Sequence, residues 1–262
     1  MNFRFYKFQA NGNDFILLDD REKKFPRDEA LIVRLCHRRF GIGADGLMLI
    51  LPSGKYDFEM AYFNADGCPA EMCGNGGRSI AALAFQNRIA GREMRFLAAD
   101  GEHQAVVNEV NDQNRTFDIS LKMSRVSGVD WFEDGCFLNT GVPHFVVFTD
   151  NVAEADVEKQ GRVLRNDGRF APAGTNVNFV EIQPDRLFVR TYERGVEGET
   201  LSCGTGVTAS AIAAFFKSGK TETAVHTRGG DFRVRFQHSG NRFEAVWLRG
   251  PAQLVFEGEM VI

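Results

Sequence analysis

Residues 73–85 read CGNGGRSIAALAF, and residues 203–215 read CGTGVTASAIAAF. Each stretch opens on Cys-Gly-x-Gly, continues as an Ala-rich apolar run and ends on Phe, and the two lie 130 residues apart in a chain of 262. Ala, Leu and Ile favour helix, and a Gly-rich segment just before them suits a helix entrance. The spacing therefore predicts two buried helices in two related halves, each with a cysteine at its N-terminus. A helix N-terminus carries unpaired N–H groups and a partial positive charge. A thiol placed there is biased toward thiolate. Two such thiols predict a site with two proton-transfer groups.

Strand patterns surround both runs. Residues 3–8 (FRFYKF) and 57–64 (DFEMAYFN) alternate, and FILLD (15–19), LMLIL (47–51), 93–99, 102–110 and 115–121 read as strands. Asp28 is the expected cap of a helix through EALIVRLCHRRF, residues 29–40. In the second half, CFLNTG, PHFVVFT, NVNFVEI (176–182) and RLFVRTY (186–192) are expected strands, with a polar helix near 153–165. ERGVEGETLS is expected as a loop, and TAVHT, FRVRFQ, RFEAVWLR and AQLVFEGEMVI as four closing strands. The polar, irregular KMSRVSGVD (122–130) points to a boundary in the region 115–130. The halves are expected at 1–117, completed by a returning strand 251–262, and at 118–250.

Composition narrows the function classes. Hydrophobic residues make up 44% and charged residues 25%, as in ordinary soluble globular proteins. A net charge of −4 gives no footprint for nucleic acid or an anionic membrane. No apolar stretch reaches the ~18 residues of a membrane span, and the alternating start is unlike a signal peptide, so a cytoplasmic location is expected. The five cysteines (Cys36, Cys68, Cys73, Cys136 and Cys203) show no disulfide spacing. Cys36 and Cys136 read as core residues, and so does Cys68 less clearly. GIGADG (41–46) matches the dinucleotide pattern, but a helix precedes it and a strand follows, the reverse of what phosphate binding needs. It reads as a turn.

FNADGCPAEMCGNGGR (63–78) and RTYERGVEGETLSCGTG (190–206) resemble the diaminopimelate epimerase family. GNDF (12–15), GIGADG, the Gly-x-Pro-His of 141–144 and GTNVNF (174–179) occur in the order that family shows. The resemblance implies an α/β (α+β) fold of two pseudo-symmetric halves, each a β-sheet or barrel wrapped around a central helix, with the active site in the cleft between them. It implies a cofactor-independent isomerase that converts LL-2,6-diaminopimelate to the meso form for lysine and peptidoglycan synthesis. It further implies a homodimer acting on a small amino acid. By motif match Cys73 and Cys203 are the catalytic bases. Asn13, Asn64, Asn176 and Arg194 match substrate contacts, with Glu193 and His144 beside the cysteines to tune them. The backbone of Gly74, Asn75, Gly204 and Thr205 is placed to hold the substrate α-carboxylate. Without the resemblance, an Asn in a turn, a Pro-His at a strand start and a Glu-Arg pair read as structural.

Two departures bear on the substrate's far end. Many members carry Gln where this chain has Gly46, and Asn where it has Val142. A racemase for another amino acid, or a non-catalytic amino-acid binder, is the alternative on the same fold. A metal site built from Cys73, Cys203 and His144 lacks the close ligand spacing of structural zinc sites.

Overall fold

The structure, a computed structural model, describes residues 1–71 and 73–262. The chain divides into two compact units, Met1–Leu121 with Gly250–Ile262, and Lys122–Arg249.

The first unit runs β1 (Asn2–Ala10), β2 (Asn13–Asp19), α1 (Glu29–Cys36), β3 (Gly46–Leu51), β4 (Phe58–Asn64), α2 (Gly74–Gln86), β5 (Glu93–Ala98), β6 (Gly101–Asn111) and β7 (Thr116–Lys122). The second contains β8 (Asp130–Phe132), β9 (Gly135–Asn139), β10 (Pro143–Phe148), α3 (Val157–Arg165), β11 (Asn176–Ile182), β12 (Arg186–Glu193), β13 (Gly198–Thr200), α4 (Gly204–Ser218), β14 (Glu222–Thr227) and β15 (Gly230–Ser239). Strand β16 (Arg242–Val261) belongs to both.

In the first unit β1 to β7 pair in sequence, β7 pairs with β16, and β16 pairs back onto β1, closing an eight-stranded barrel. The second unit orders its strands β16-β15-β14-β12-β11-β10-β9-β8, with β13 added to β12. Both units place parallel pairs at the same points. β2–β3 and β4–β5 are parallel around α1 and α2, and β10–β11 and β12–β14 are parallel around α3 and α4. Parallel neighbours need a crossover, and a helix supplies it. This shared pattern is the pseudo-symmetry that the repeated Cys-Gly-x-Gly phrase announces.

The Ala- and Gly-rich composition of α2 follows from its position. Every residue from Gly74 to Ala84 is buried, and the helix contacts β1, β2, β3 and β6. An eight-stranded barrel leaves an interior only wide enough for a filling of side chains, so a helix fits there only with small residues. α4 is similarly buried and contacts strands β9 to β12, β14 and β15. Strand β3 is buried along its whole length because α2 covers one face and α1 the other. The outer cover joins Ile32, Leu35 and Cys36 to Leu47, Leu49 and Leu51.

The structure corrects the sequence reading at three elements. α1 stops at Cys36 rather than continuing to Phe40. His37 Nδ1 accepts the N–H groups of Arg39 and Phe40, each at 3.1 Å, which draws the chain into a turn. ERGVEGETLS contains a short strand, β13, because Glu193 and Gly198 pair across a hairpin. RFEAVWLR and AQLVFEGEMVI are one strand. Pro251, which has no N–H, sits where β16 changes partner, from β15 up to Arg249 to β7 from Gly250. Cys36 and Cys136 are core thiols, pushed up to about 11 and about 12 by burial, while Cys68 is exposed.

Candidate active site

In the first unit the N-terminus of α2 sits at one barrel end, with the start of β2, the start of β3 and the end of β4. Cys73 is the N-cap, with extended backbone, and its Sγ accepts the Gly76 N–H at 3.2 Å. Sulfur here does the work usually given to a Ser or Asp oxygen. A Cβ on Gly76 would meet the Met48 methyl, so the first turn of α2 lies directly against the end of that side chain.

Asn13 meets the same sulfur from β2. The Cys73 thiol donates toward Asn13 Oδ1 at 3.9 Å, while Asn13 Nδ2 donates to Asp45 Oδ2. Asp45 is held by Arg38 at 2.6 Å, and Arg38 also grips both oxygens of Asp14 at 2.7 and 2.9 Å. Lys7 reaches Asp14 at 2.6 Å. Burial opposes the charge on Asp14, yet the bonds from Arg38 and Lys7 hold its carboxyl down at about 2. The network fixes which end of the Asn13 amide faces the thiol.

Arg78 lies one turn into α2 and is fully buried. Its guanidinium donates to Asn11 Oδ1 at 2.7 Å, Asn75 Oδ1 at 2.9 Å, Gly74 O at 3.2 Å and Pro251 O at 3.4 Å. Burial pushes its pKa down to about 10, so it stays charged near neutrality. A positive charge beneath the helix start adds to the field of the helix end. Asn64 is exposed at the end of β4, paired with Gly46.

In the second unit Cys203 is the N-cap of α4 and is buried, with Sγ 3.3 Å from Thr205 Oγ1. Thr140 Oγ1 donates to the Thr205 carbonyl at 3.0 Å, tying the helix start to the end of β9. His144 on β10 is completely buried under the first turn of α4, and a Cβ on Gly206 would lie 3.3 Å from His144 Cε1. Its Nδ1 accepts from Asn178 Nδ2 at 3.0 Å, and Asn178 Oδ1 accepts from Thr191 Oγ1 at 3.0 Å. The proton of neutral His144 therefore sits on Nε2, which has no hydrogen-bond partner among the described residues. Burial, reinforced by the nearby Arg194 charge, lowers His144 to about 3.

Asn176 pairs with His144 across β10 and β11. Its Nδ2 donates to Pro143 O at 3.0 Å, and its Oδ1 accepts from the Arg194 N–H at 2.8 Å. Arg194 Nη1 donates to Ala173 O at 3.2 Å. Asn176 thus braces the backbone that carries Arg194. Burial pushes the Glu193 carboxyl up from its ordinary range.

The fold brings Asn13, Cys73, Gly74 and Asn75 together in one unit, and His144, Asn176, Glu193, Arg194, Cys203, Gly204 and Thr205 to neighbouring elements of the other. The sequence reading did not single out Asp45, Arg78 or Asn178. All three lie inside quoted motifs, GIGADG, CGNGGR and GTNVNF, where attention fell on neighbouring residues. A cavity of about 770 Å³ lies at the far end of α2, lined by Phe85, Arg88 and Arg115, away from these residues. Among the described residues no group of three or more His, Cys, Asp or Glu is placed to hold a metal ion. No helix of the described residues is long and apolar enough to cross a membrane.

Known proteins are similar to this chain in fold and in sequence. Two crystal structures have the same fold: a phenazine biosynthesis protein of the PhzF family from Bacillus anthracis (TM-score 0.74, 15% identity, 100% of each chain covered) and a probable proline racemase from Agrobacterium radiobacter (TM-score 0.70, 16% identity, 99% and 93% covered). The diaminopimelate epimerase of Flavobacterium psychrophilum is 46% identical over 258 residues, covering 97% of this chain and 98% of that one. That of Aquifex aeolicus is 40% identical over 278 residues, covering 98% and 97%. The diaminopimelate epimerase family model matches residues 5–126 and 136–255, so nearly the whole length agrees, and the chain belongs to the diaminopimelate epimerase family.

Proposed function

We propose that this chain inverts the α-carbon of LL-2,6-diaminopimelate to the meso isomer, with Cys73 and Cys203 as the proton-transfer groups. The observation that carries this reading is that each unit begins its buried central helix on a cysteine. Inversion needs one group to remove the α-proton and a second to return a proton from the opposite face. One sulfur acts as thiolate and the other as thiol, and the roles exchange in the reverse direction.

The thiols are not sufficient by themselves. A helix N-terminus is worth ~0.3–2 kcal/mol, and a pKa unit is ~1.4 kcal/mol, so it moves a thiol from ~8.5 by about one unit. That makes a usable base near neutrality, too weak alone for an amino-acid α-proton. The larger contribution comes from holding the α-carboxylate, into which negative charge spreads as the proton leaves. The backbone N–H groups of Gly74, Asn75, Gly204 and Thr205 serve that role, with the Arg78 charge behind the first pair. Asn13, Asn64, Asn176 and Arg194 position the substrate. His144, neutral and bearing its proton on Nε2, and Glu193, raised toward neutrality, set the protonation of the second site.

In this reading the halves 1–117 with 251–262, and 118–250, are the functional domains, each supplying one thiol. The enzyme is a PLP-independent isomerase of lysine biosynthesis, a cytoplasmic homodimer whose partner is its amino-acid substrate. A second reading, racemisation of another amino acid, draws on Gly46 and Val142, which offer no polar side chain. The test is solvent deuterium incorporation at the α-carbon of LL-diaminopimelate. Exchange with inversion supports the proposal. Faster exchange into single-carboxylate amino acids favours the second reading, and binding without exchange refutes an enzyme.

A further inference from the structure

Strand β3 begins at Gly46, which pairs with Phe15 of β2 on one side and Asn64 of β4 on the other. Side chains alternate along a strand, so Gly46 shares a face with Met48, and Tyr62 with Asn64. Met48 occupies the space where a Cβ on Gly76 would stand, so this face looks at the first turn of α2. Tyr62 lies opposite Met48 in the ladder. It is therefore the first inward residue below Asn64, at the barrel end that holds Cys73.

A Cβ on Gly46 would fall 2.6 Å from Tyr62 Cε2, 3.3 Å from Tyr62 Cζ and 2.5 Å from the Phe63 carbonyl. The hydroxyl-bearing end of the Tyr62 ring lies across the first residue of β3. Phe15, fully buried, holds the ring edge-on at 6.1 Å and 81°, while Tyr62 itself remains half-buried. Two neighbours keep a side chain out of position 46, the Tyr62 ring and the Phe63 carbonyl. No longer side chain at 46 can coexist with this ring.

We propose that Tyr62 is a specificity-determining residue, whose phenol recognises the substrate end remote from the inverted carbon. This rests on the diaminopimelate reading. That substrate carries an ammonium and a carboxylate at each end of a short methylene chain. The end being inverted takes the cysteines and the helix N–H groups, and the other end needs polar contacts elsewhere. A phenol both donates and accepts hydrogen bonds, and its ring covers methylene groups. It sits on the same strand as Asn64 and supplies at the start of β3 the polar group that Gly46 does not.

The test measures kcat and KM for LL-diaminopimelate by α-proton exchange, on the full chain and on Tyr62→Phe, with a thermal melt of each. Removing only the hydroxyl is expected to raise KM about tenfold with most of the effect in KM, consistent with loss of one hydrogen bond to a charged group. Tyr62→Ala is expected to raise KM further. A folded Tyr62→Phe whose KM lies within twofold of the parent overturns the proposal, and so does a melting shift without a KM change. No exchange with LL-diaminopimelate by the parent overturns the functional reading and this proposal with it.

Discussion

Asn178 donates its amide to His144 Nδ1 at 3.0 Å in a place where water has no access to the imidazole. The bond selects the tautomer with Nε2 protonated, and the burial keeps the ring uncharged. His144 titrates near 3 in the fold against an ordinary value of 6.5. Between those values the unfolded chain binds a proton that the native state refuses, so stability falls as pH drops below about 6.5. The slope from this group is about 1.4 kcal/mol per pH unit, or roughly 2 kcal/mol by pH 5. Denaturant unfolding of the parent and His144→Gln between pH 5 and pH 7 checks this. The parent is expected to lose stability faster toward acid, and parallel curves contradict the account.

Replacing either N-cap cysteine removes one of two groups that the inversion needs. Cys73→Ala and Cys203→Ala are each expected to reduce epimerisation by at least about a thousandfold. Cys203→Ala changes stability little by comparison, since Cys203 makes no side-chain cap bond to its helix, whereas Cys73→Ala also loses the cap bond from the Gly76 N–H. Turnover by either variant within tenfold of the parent would defeat the two-thiol mechanism.

Asp45 holds the amide end of Asn13, so Asp45→Asn lets that amide turn over. Loss of a charge-assisted bond of about 1.5–3 kcal/mol is expected to raise KM roughly tenfold or more. Steady-state kinetics on LL-diaminopimelate measures it, and an unchanged KM would show that Asn13 keeps its orientation without Asp45.

Gly206→Ala places a methyl group against Asn178 Oδ1 and 3.3 Å from His144 Cε1. Overpacking of this kind costs about 1–3 kcal/mol. Gly54 has nothing within 4 Å of its notional Cβ, so Gly54→Ala is the matched control. Thermal melts should separate the two by several degrees, and equal melting temperatures would mean the first turn of α4 shifts freely.

Much of this was legible in the residues. The Ala-rich runs after Cys73 and Cys203 could only be small-residue helices, and the flanking strands alternate plainly. β16 was harder, because Pro251 reads as a break wherever the ladder partner is unknown. β13 is three residues long and paired only through its hairpin, so no period marks it. The cysteines were recognisable from their motifs. What turns Asn13 toward Cys73 is a bond to Asp45, a residue 32 positions away in the chain, and local spacing carries no trace of such a choice.

The doubly used strand β16 sets an order of events during synthesis. Its last residues, Gly250–Ile262, seal the first barrel, yet they leave the ribosome only after all of Lys122–Arg249. At ~5–20 residues per second this is a delay of several seconds to tens of seconds. Throughout it, β1 and β7 present open edges that invite wrong partners. Nascent chains of the first unit are therefore the stage at which a chaperone, or a peptide copying residues 250–262, would change the yield.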